Sequence, residues 1–539
     1  MSVIIPAAQF QGVAEEAEPL PRVMLPSLNR PESQFATEMG HVIGDCQTLF
    51  RLNDQVVEID QEEFDGDFDK FKLARGGLKF NAMTAVRAKT WLEQFVETGV
   101  ELETKNGSGK SLFAAKTMRE SLARSLLESP QFRKQLPRIA RILDVAIPVY
   151  SKSGEIVFPR PGFNRDLGIY VSPDTPKLLK MSADEAIAIL NEAHGGFCWK
   201  SDQSRCHALA RMLTPYARGL MGFSERWPLW FYVGNRPRCG KDYANGVTQI
   251  TFLGHAFEDI AITDNSEETI KRIVSGMRSG RRMMHFANCQ HHLDDVGFIQ
   301  AITAPTLCAR SLGANDAKSD LELLNEIDYS ISANIGLTYR EDVEPRLRKI
   351  ELAFFEEDPN KRQFPKPFLH QWVRENRVTI LSAIYSLFQH WIDTGAPVGK
   401  TIFNSFPRWA EIIGGVMAAA RLGDPCLPHE GEDLIGGDQR ERAMRALFHA
   451  CFEESPEQWL KKSEIYEIVS KQTDNYPALE WFGNLGSDSN LGDKRSATTR
   501  TGTALTAFQN RVLDGVRLIV DTSNTKTQYW RYRFTKQAL

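Results

Sequence analysis

The chain has 539 residues, is 42% hydrophobic and 25% charged, and carries a net charge of -4 with a pI near 6.3. That composition suits a water-soluble globular protein of about three domains, and it excludes a global basic field, so any nucleic-acid contact must come from local patches. The eight cysteines are scattered and form no CxxC, which argues against a zinc ribbon or a disulfide framework, and Cys289, His291 and His292 are too tightly spaced for a standard metal site. No signal-peptide pattern opens the chain and no apolar run reaches about 18 residues, so a cytoplasmic location with no membrane contact is expected.

Residues 1–30 carry Pro, Ala and Glu with little periodicity and read as a flexible arm. Residues 31–215 read as an N-terminal α+β domain. Within it, Thr48 to Arg51 and Gln55 to Ile59 form a strand pair about Asn53-Asp54. Residues 108–145 read as helical, from the spacing of Leu112, Leu122, Leu126 and Leu127. Ile147 to Tyr150 and Ile156 to Phe158 flank Ser153-Gly154 as a hairpin, and GFNRDLGIYV, 162–171, reads as a turn and strand. Ser182 with Glu185 makes a capping box for a helix to Leu190, and 203–220 form a second helix. This region shows no catalytic constellation, and a structural or protein-binding role is the better reading of it.

The next stretch organises the rest. Leu229 to Val233 is an aromatic, apolar run with the character of a buried strand. It breaks at Gly234 into a polar loop that ends in Gly240-Lys241, after which helix-compatible residues resume. Strand, glycine-bounded loop, Gly-Lys and helix form the grammar of a phosphate-binding loop, whose backbone N–H groups and helix N-terminus make an anion nest. Gly234, Asn235, Arg238, Gly240, Lys241, Asp242 and Tyr243 are therefore the candidate nucleotide contacts. Two features depart from the usual pattern. Five residues separate the glycines where four are usual, and Asp242 stands where a magnesium-holding Ser or Thr is expected. The alternative is a surface loop with a solvated Lys241.

A helix from Asp242 to Phe252, a short strand near Ile260 to Ile262 and a helix from Ser266 to Met277 follow. Arg282 to Ala287 reads as a second buried strand, with Ala287 where a magnesium-ordering acid would stand; Asp294 and Asp295 suit helix capping equally well. Pro305 to Leu312 and Leu321 to Leu324 flank a polar tip carrying Lys318, a hairpin signature. Tyr329 to Ala333 reads as a third strand ending at Asn334. The basic cluster Arg346, Arg348 and Lys349 precedes a strand from Ile350 to Phe354, and residues 367–423 read as a helical lid. Arg346 and Arg348 could each reach a neighbouring subunit's phosphate as an arginine finger, or form surface ion pairs.

Residues 429–437 are Gly-rich and acidic, a linker. In 438–539, Gln439 to Phe452, Glu464 to Ser470 capped by Ser463, and Ser496 to Val512 read as helices, followed by a hairpin of Val516 to Val520 and Tyr529 to Phe534. Three helices and a two-stranded wing make a winged helix. Its Arg495, Arg500, Arg511, Arg517, Lys526, Arg531 and Arg533, interleaved with Tyr529, Trp530 and Tyr532, suit nucleic acid, with protein contact as the alternative.

The order of these elements resembles the phage and plasmid replicative helicases of the AAA+ class, related to superfamily 3 and MCM-like helicases of mobile elements. The matching segments are GNRPRCGKDY, RMMHFANC, ARSLG at Ala309 to Gly313, the SAN end of the third strand, Arg346 to Leu352, and SFPRWAEIIGGVM at Ser405 to Met417 as the lid helix. The resemblance implies a multidomain α/β chain: an AAA+ P-loop core of three αβα layers at 216–428, preceded by the α+β domain and followed by the winged helix. It implies ATP and Mg2+ as cofactors, a ring, expected to be a hexamer, and single- and double-stranded DNA as partners, with a separate primase or replication initiator as a further candidate. By position it makes Lys241 the grip on the outer phosphates and Asn334 the sensor. Arg346 and Arg348 become finger candidates. Arg310 sits in the ARSLG signature, and Lys318 would contact DNA phosphates in a central channel, a sequence-blind contact. With Ala287 replacing the acid, two readings stay open: hydrolysis has been lost, leaving a DNA-binding replication scaffold, or the carboxylate has moved to Asp242, which would hold magnesium from the other side.

Overall fold

The structure is a computed structural model that describes residues 19–53, 55–60, 78–103, 111–256, 266–278, 280–287, 289, 292–293, 295–308, 322–334, 338–340, 342–355, 364–428, 439–482, 501–502, 505–506, 508–523 and 529–536. Four strands form a parallel sheet in the order Met283–Phe286, Asp328–Asn334, Leu229–Gly234, Leu347–Leu352. Every residue of the Leu229–Gly234 strand is buried, as expected where helices cover both faces of a parallel sheet. All four carboxyl ends lie on one edge. From Gly234 the chain travels to one side, to Met283–Phe286, while Leu347–Leu352 lies on the other side. In parallel sheets such a reversal opens a crevice at the carboxyl ends.

The faces follow from period-two alternation. Trp230 and Tyr232 share a face with Ser330, Ser332 and His285, and the helices Asp202–Ala217, Lys241–Leu253 and Pro407–Ala419 cover it through contacts such as Trp230 with Trp409. Phe231 and Ile331 face the other way, where Tyr339 and the helix Val296–Thr303 pack. One buried apolar cluster runs from Leu143 to Cys426, so a boundary between 215 and 216 cuts through it. Helix Ala183–His194 packs on Arg377–Asp393, and Ser382 and Ser386 accept the N–H groups of Leu179 and Met181.

Among the described residues the N-terminal region holds three small three-stranded sheets, one of them Gly162–Asn164, Ile169–Val171 and Arg141–Leu143. Arg22–Met24 pairs in parallel with Glu97–Glu103, and Val23 is fully buried, so the part of the expected arm from residue 19 onward is tied down. The strand pair expected near residue 50 gains a third strand, Lys79–Ala82. The expected helix over 108–145 is instead a strand Ser111–Ala115, helices Glu120–Glu128 and Pro130–Gln135, and a strand Arg141–Leu143. Leu112 sits exposed in the first of these, so its helical spacing to Leu122 was coincidental, and Pro130 starts a new helix rather than extending one. The capping box at Ser182 and Glu185 is present.

The C-terminal region has its own core. Helices Gln439–Glu454 and Lys462–Gln472 pack on a four-stranded antiparallel sheet in the order Leu460–Lys461, Arg531–Lys536, Val516–Asp521, Val512–Leu513. The expected helix to Val512 ends earlier, because Val512–Leu513 pairs as a strand with Val516–Asp521. Residues 495–500, with Arg495 and Arg500, and 503, 504 and 507 lie outside the described residues, as do the linker 429–437, the strand near Ile260 to Ile262, and Asp294.

Candidate functional site

The loop between Gly234 and Lys241 sits at the carboxyl edge of the sheet. Two of its residues take left-handed backbone, Arg238 at φ 67° and Gly240 at φ 98°. Gly240 is the N-cap of helix Lys241–Leu253, so that helix opens with its free N–H groups at the loop. Segment 197–200 pairs along the edge strand, through Trp199 with Leu352, Lys200 N–H to Glu351 and Ala353 N–H to Cys198. That pairing brings Phe197 to 3.7 Å from where a β-carbon at Gly240 would lie.

Asp242 is the centre of the site. Its Oδ1 lies 3.2 Å from His285 Nε2, and Ser332 also hydrogen-bonds to it. Its Oδ2 lies 3.3 Å from Lys241 Nζ, and Lys241 is 6% exposed. Burial raises the Asp242 pKa, but the hydrogen bonds from His285 and Ser332 and the Lys241 charge outweigh it and hold the carboxyl down at about 2. An ionised carboxylate only accepts, so His285 carries its proton on Nε2 toward Asp242, and its Nδ1 lies 2.9 Å from Ser330 Oγ. Sequence reading named Asp242 but missed His285, Ser330 and Ser332. The signal was available: a lone His in RMMHFA, and hydroxyls at alternate positions in YSISAN, mark one polar stripe on buried strands.

The other expected contacts divide. Register pairs Gly234 with Asn334, so the strand ends are neighbours; nothing is described of the Asn334 side chain. Asn235 is not free for a ligand through its side chain: its Nδ2 donates to Phe354 O and its Oδ1 accepts from Phe354 N–H, pinning the loop to the edge strand. Tyr243 stacks on His370 with ring centroids 3.6 Å apart, and its hydroxyl accepts from His370 N–H, which ties it to the helix Leu369–Glu375. Arg238 is exposed at the loop tip. Ala287 is buried just past the end of the second strand.

The edge strand begins at Leu347, three residues earlier than expected, and so takes in Arg348 and Lys349 of the basic cluster. Lys349 and Glu351 are buried there, paired with Glu344 at 2.9 Å and Lys200 at 3.2 Å. Paired charges on a buried strand hid it from hydropathy. Arg348 is a strand residue too: its Nε donates to Pro425 O, its guanidinium lies 3.5 Å from the Phe403 ring centre, and burial lowers its pKa to about 10. Those contacts speak against a finger role for Arg348. Arg346 lies in the preceding turn, 3.8 Å from Asp342.

Among the described residues no group of three His, Cys, Asp or Glu is placed to hold a metal alone. Magnesium seldom needs one, since nucleotide phosphates and water fill most of its octahedron beside one or two carboxylates. Asp242 is an ionised carboxylate with the Ser332 hydroxyl beside it, and it would hold that ion as the one carboxylate of the loop, in place of its present contact with Lys241.

In the C-terminal sheet, Arg517, Arg531 and Arg533 lie on the outer face, and Arg533 stacks over Trp459 at 4.7 Å. Lys461, paired with Arg531, and Trp459 join this patch and were not foreseen. Tyr532, foreseen as a nucleic-acid contact, is instead fully buried, because alternation turns it into the core. Arg511 is exposed beside Phe508. Arg310, Lys318 and Lys526 lie outside the described residues; the hairpin that would carry the first two is present as Thr306–Cys308 paired with Glu322–Leu324.

No protein-family model matches the chain, and no curated protein matches it. Among solved structures, the apo C-terminal region of NrS-1 is similar at 12% identity and a TM-score of 0.32, over 81% of this chain and 94% of that one. A likeness that low carries no argument about fold or function. No helix among the described residues is long and apolar enough to cross a membrane.

Proposed function

We propose that the chain is an ATP-driven DNA helicase or translocase, built on an AAA+ P-loop core with a C-terminal winged helix and acting as a ring in replication of a phage, plasmid or integrated element. The observation that carries this is the ionised Asp242 beside Lys241, held by groups from two neighbouring strands at the mouth of a glycine-bounded loop. The strand order supports it: the loop strand is central, and Asn334 ends the strand next to it. In this reading the loop N–H groups and Lys241 bind the outer phosphates. Magnesium, held through Asp242, would neutralise charge on them. Ser332 and His285 fix the carboxylate so that it need not reorganise during the reaction. The basic and aromatic outer face of the C-terminal sheet would take DNA backbone and bases.

A second reading, a DNA-binding scaffold that holds nucleotide without hydrolysing it, is favoured by Ala287 at the end of the second strand and by the engagement of Asp242 with Lys241. ATP turnover with and without DNA separates them. The motor reading expects DNA-stimulated turnover that Lys241→Ala and Asp242→Ala each abolish. Turnover unaffected by Asp242→Ala removes the role given to that carboxylate; nucleotide binding with no turnover selects the scaffold.

A further inference from the structure

A cavity of about 300 Å³ lies at the opposite edge of the parallel sheet from Lys241. Its walls come from the N-terminal sheet at Leu52 and Phe80, the segment Arg138 to Ile142, the residues Arg281 and Arg282, and the hairpin residues Thr306 and Leu323. It therefore sits on the seam between the N-terminal region and the core.

Its charge is lopsided. Arg138, Arg141, Arg281 and Arg282 line it against one carboxylate, Glu326. That carboxylate is already shared, by a salt bridge to Arg141 and by Arg218 at 3.8 Å. Burial raises the Glu326 pKa, but the two arginine charges prevail and lower it, so it is a committed counter-ion. Arg141 is 6% exposed and its Nε has no hydrogen-bond partner, and neither has the buried Nε of Arg282. Those two Nε atoms are sealed from the cavity, so an anion with several oxygens would offset the surplus guanidinium charge of the lining rather than bond to them. The other wall is apolar, with Ile139, Met277 and Phe80. Phe223 completes it, an aromatic ring 56% exposed with the Arg141 guanidinium 5.0 Å from its centre. A ring and a guanidinium plane of this kind accept a flat, stackable group.

We propose that this cavity binds a mononucleotide, its phosphate on the arginines and its base against Phe223. The size agrees with the lower end of small-ligand pockets. A ligand there touches both the N-terminal region and the core, and so stabilises their junction by binding the folded form alone.

The test uses the full chain carrying Lys241→Ala, with EDTA present, so that the phosphate loop and its metal do not contribute. Binding of a fluorescent dAMP analogue is followed by anisotropy, with unlabelled dAMP and inorganic phosphate as competitors. Saturable binding is expected, weakened about tenfold by Phe223→Ala and by Arg138→Ala, with dAMP competing far better than phosphate. Phe223 and Arg138 are both exposed, so these variants keep the fold. No binding by the Lys241→Ala chain, or binding that both variants leave unchanged, overturns the site. Equal competition by inorganic phosphate overturns the nucleoside part. The motor reading stands or falls separately, on ATP turnover by the unsubstituted chain.

Discussion

His285 Nε2 lies 3.2 Å from Asp242 Oδ1, joining the second strand of the parallel sheet to the first turn of the helix that begins at Lys241. This contact turns a residue in the place of a hydroxyl into a fixed anion. It also ties the state of the phosphate loop to a strand two positions away in the sheet.

Asp242 should leave a signature in acid. Its folded pKa of about 2 lies below the ordinary value of 3.8, so the ionised form stabilises the fold above about pH 4, and that contribution is lost as pH falls from there through about 2. Asp242→Asn is expected to flatten the dependence of stability on pH in that window. His285→Phe, which removes a hydrogen bond, should move the acid transition upward. Urea unfolding at a series of pH values reads both; parallel curves for all three chains would refute the coupling.

The buried pair Arg211 and Asp328 ties the helix Asp202–Ala217 to the start of the strand Asp328–Asn334. Asp328→Ala leaves a guanidinium buried without its counter-charge and is expected to cost about 3–5 kcal/mol. Arg211→Met combined with Asp328→Leu should recover most of that, since apolar replacement of both partners removes the desolvation cost. Thermal unfolding of the two chains compares them directly.

Gly246 faces the imidazole of His370, which a β-carbon would approach to 2.5 Å. Gly246→Ala should therefore push the helix Leu369–Glu375 off Lys241–Leu253 and cost about 1–3 kcal/mol. Adding His370→Ala removes the obstacle, so the pair of substitutions should be non-additive in unfolding experiments. Additive losses would mean that the clash is relieved elsewhere.

Arg346 and Arg348 should behave differently. Arg348→Ala loses three carbonyl hydrogen bonds and the stacking on Phe403, and is expected to lower the melting temperature of the core. Arg346→Ala should leave melting unchanged and reduce ATP turnover, the result expected of a residue that acts on a neighbouring subunit. Melting and turnover measured on both variants settle the division.

On the C-terminal face, replacing Arg517 and Arg531 by Ala should weaken duplex binding. For every phosphate no longer neutralised, the slope of log affinity against log salt should fall by about 0.9. Tyr532→Ala is expected to lose binding for a different reason, collapse of the core around a fully buried ring, visible as a lost unfolding transition. A salt slope unchanged by the arginine substitutions would exclude this face as the DNA-binding surface.

The local grammar was readable in the sequence. Leu229 to Val233 as a buried strand, the glycine-bounded loop with its following helix, the capping box at Ser182 and the closing hairpin all rest on periodicity and turn chemistry, which act within a few residues. What tertiary structure alone decided is which polar groups meet. His285 and Ser332 reach Asp242 because strands distant in sequence lie side by side, Arg348 is engaged by Phe403 and the 425–426 carbonyls, and Tyr532 turns inward by one step of alternation. Charges paired inside a strand look like a loop when read singly, and only the fold supplies the partner that makes their burial tolerable.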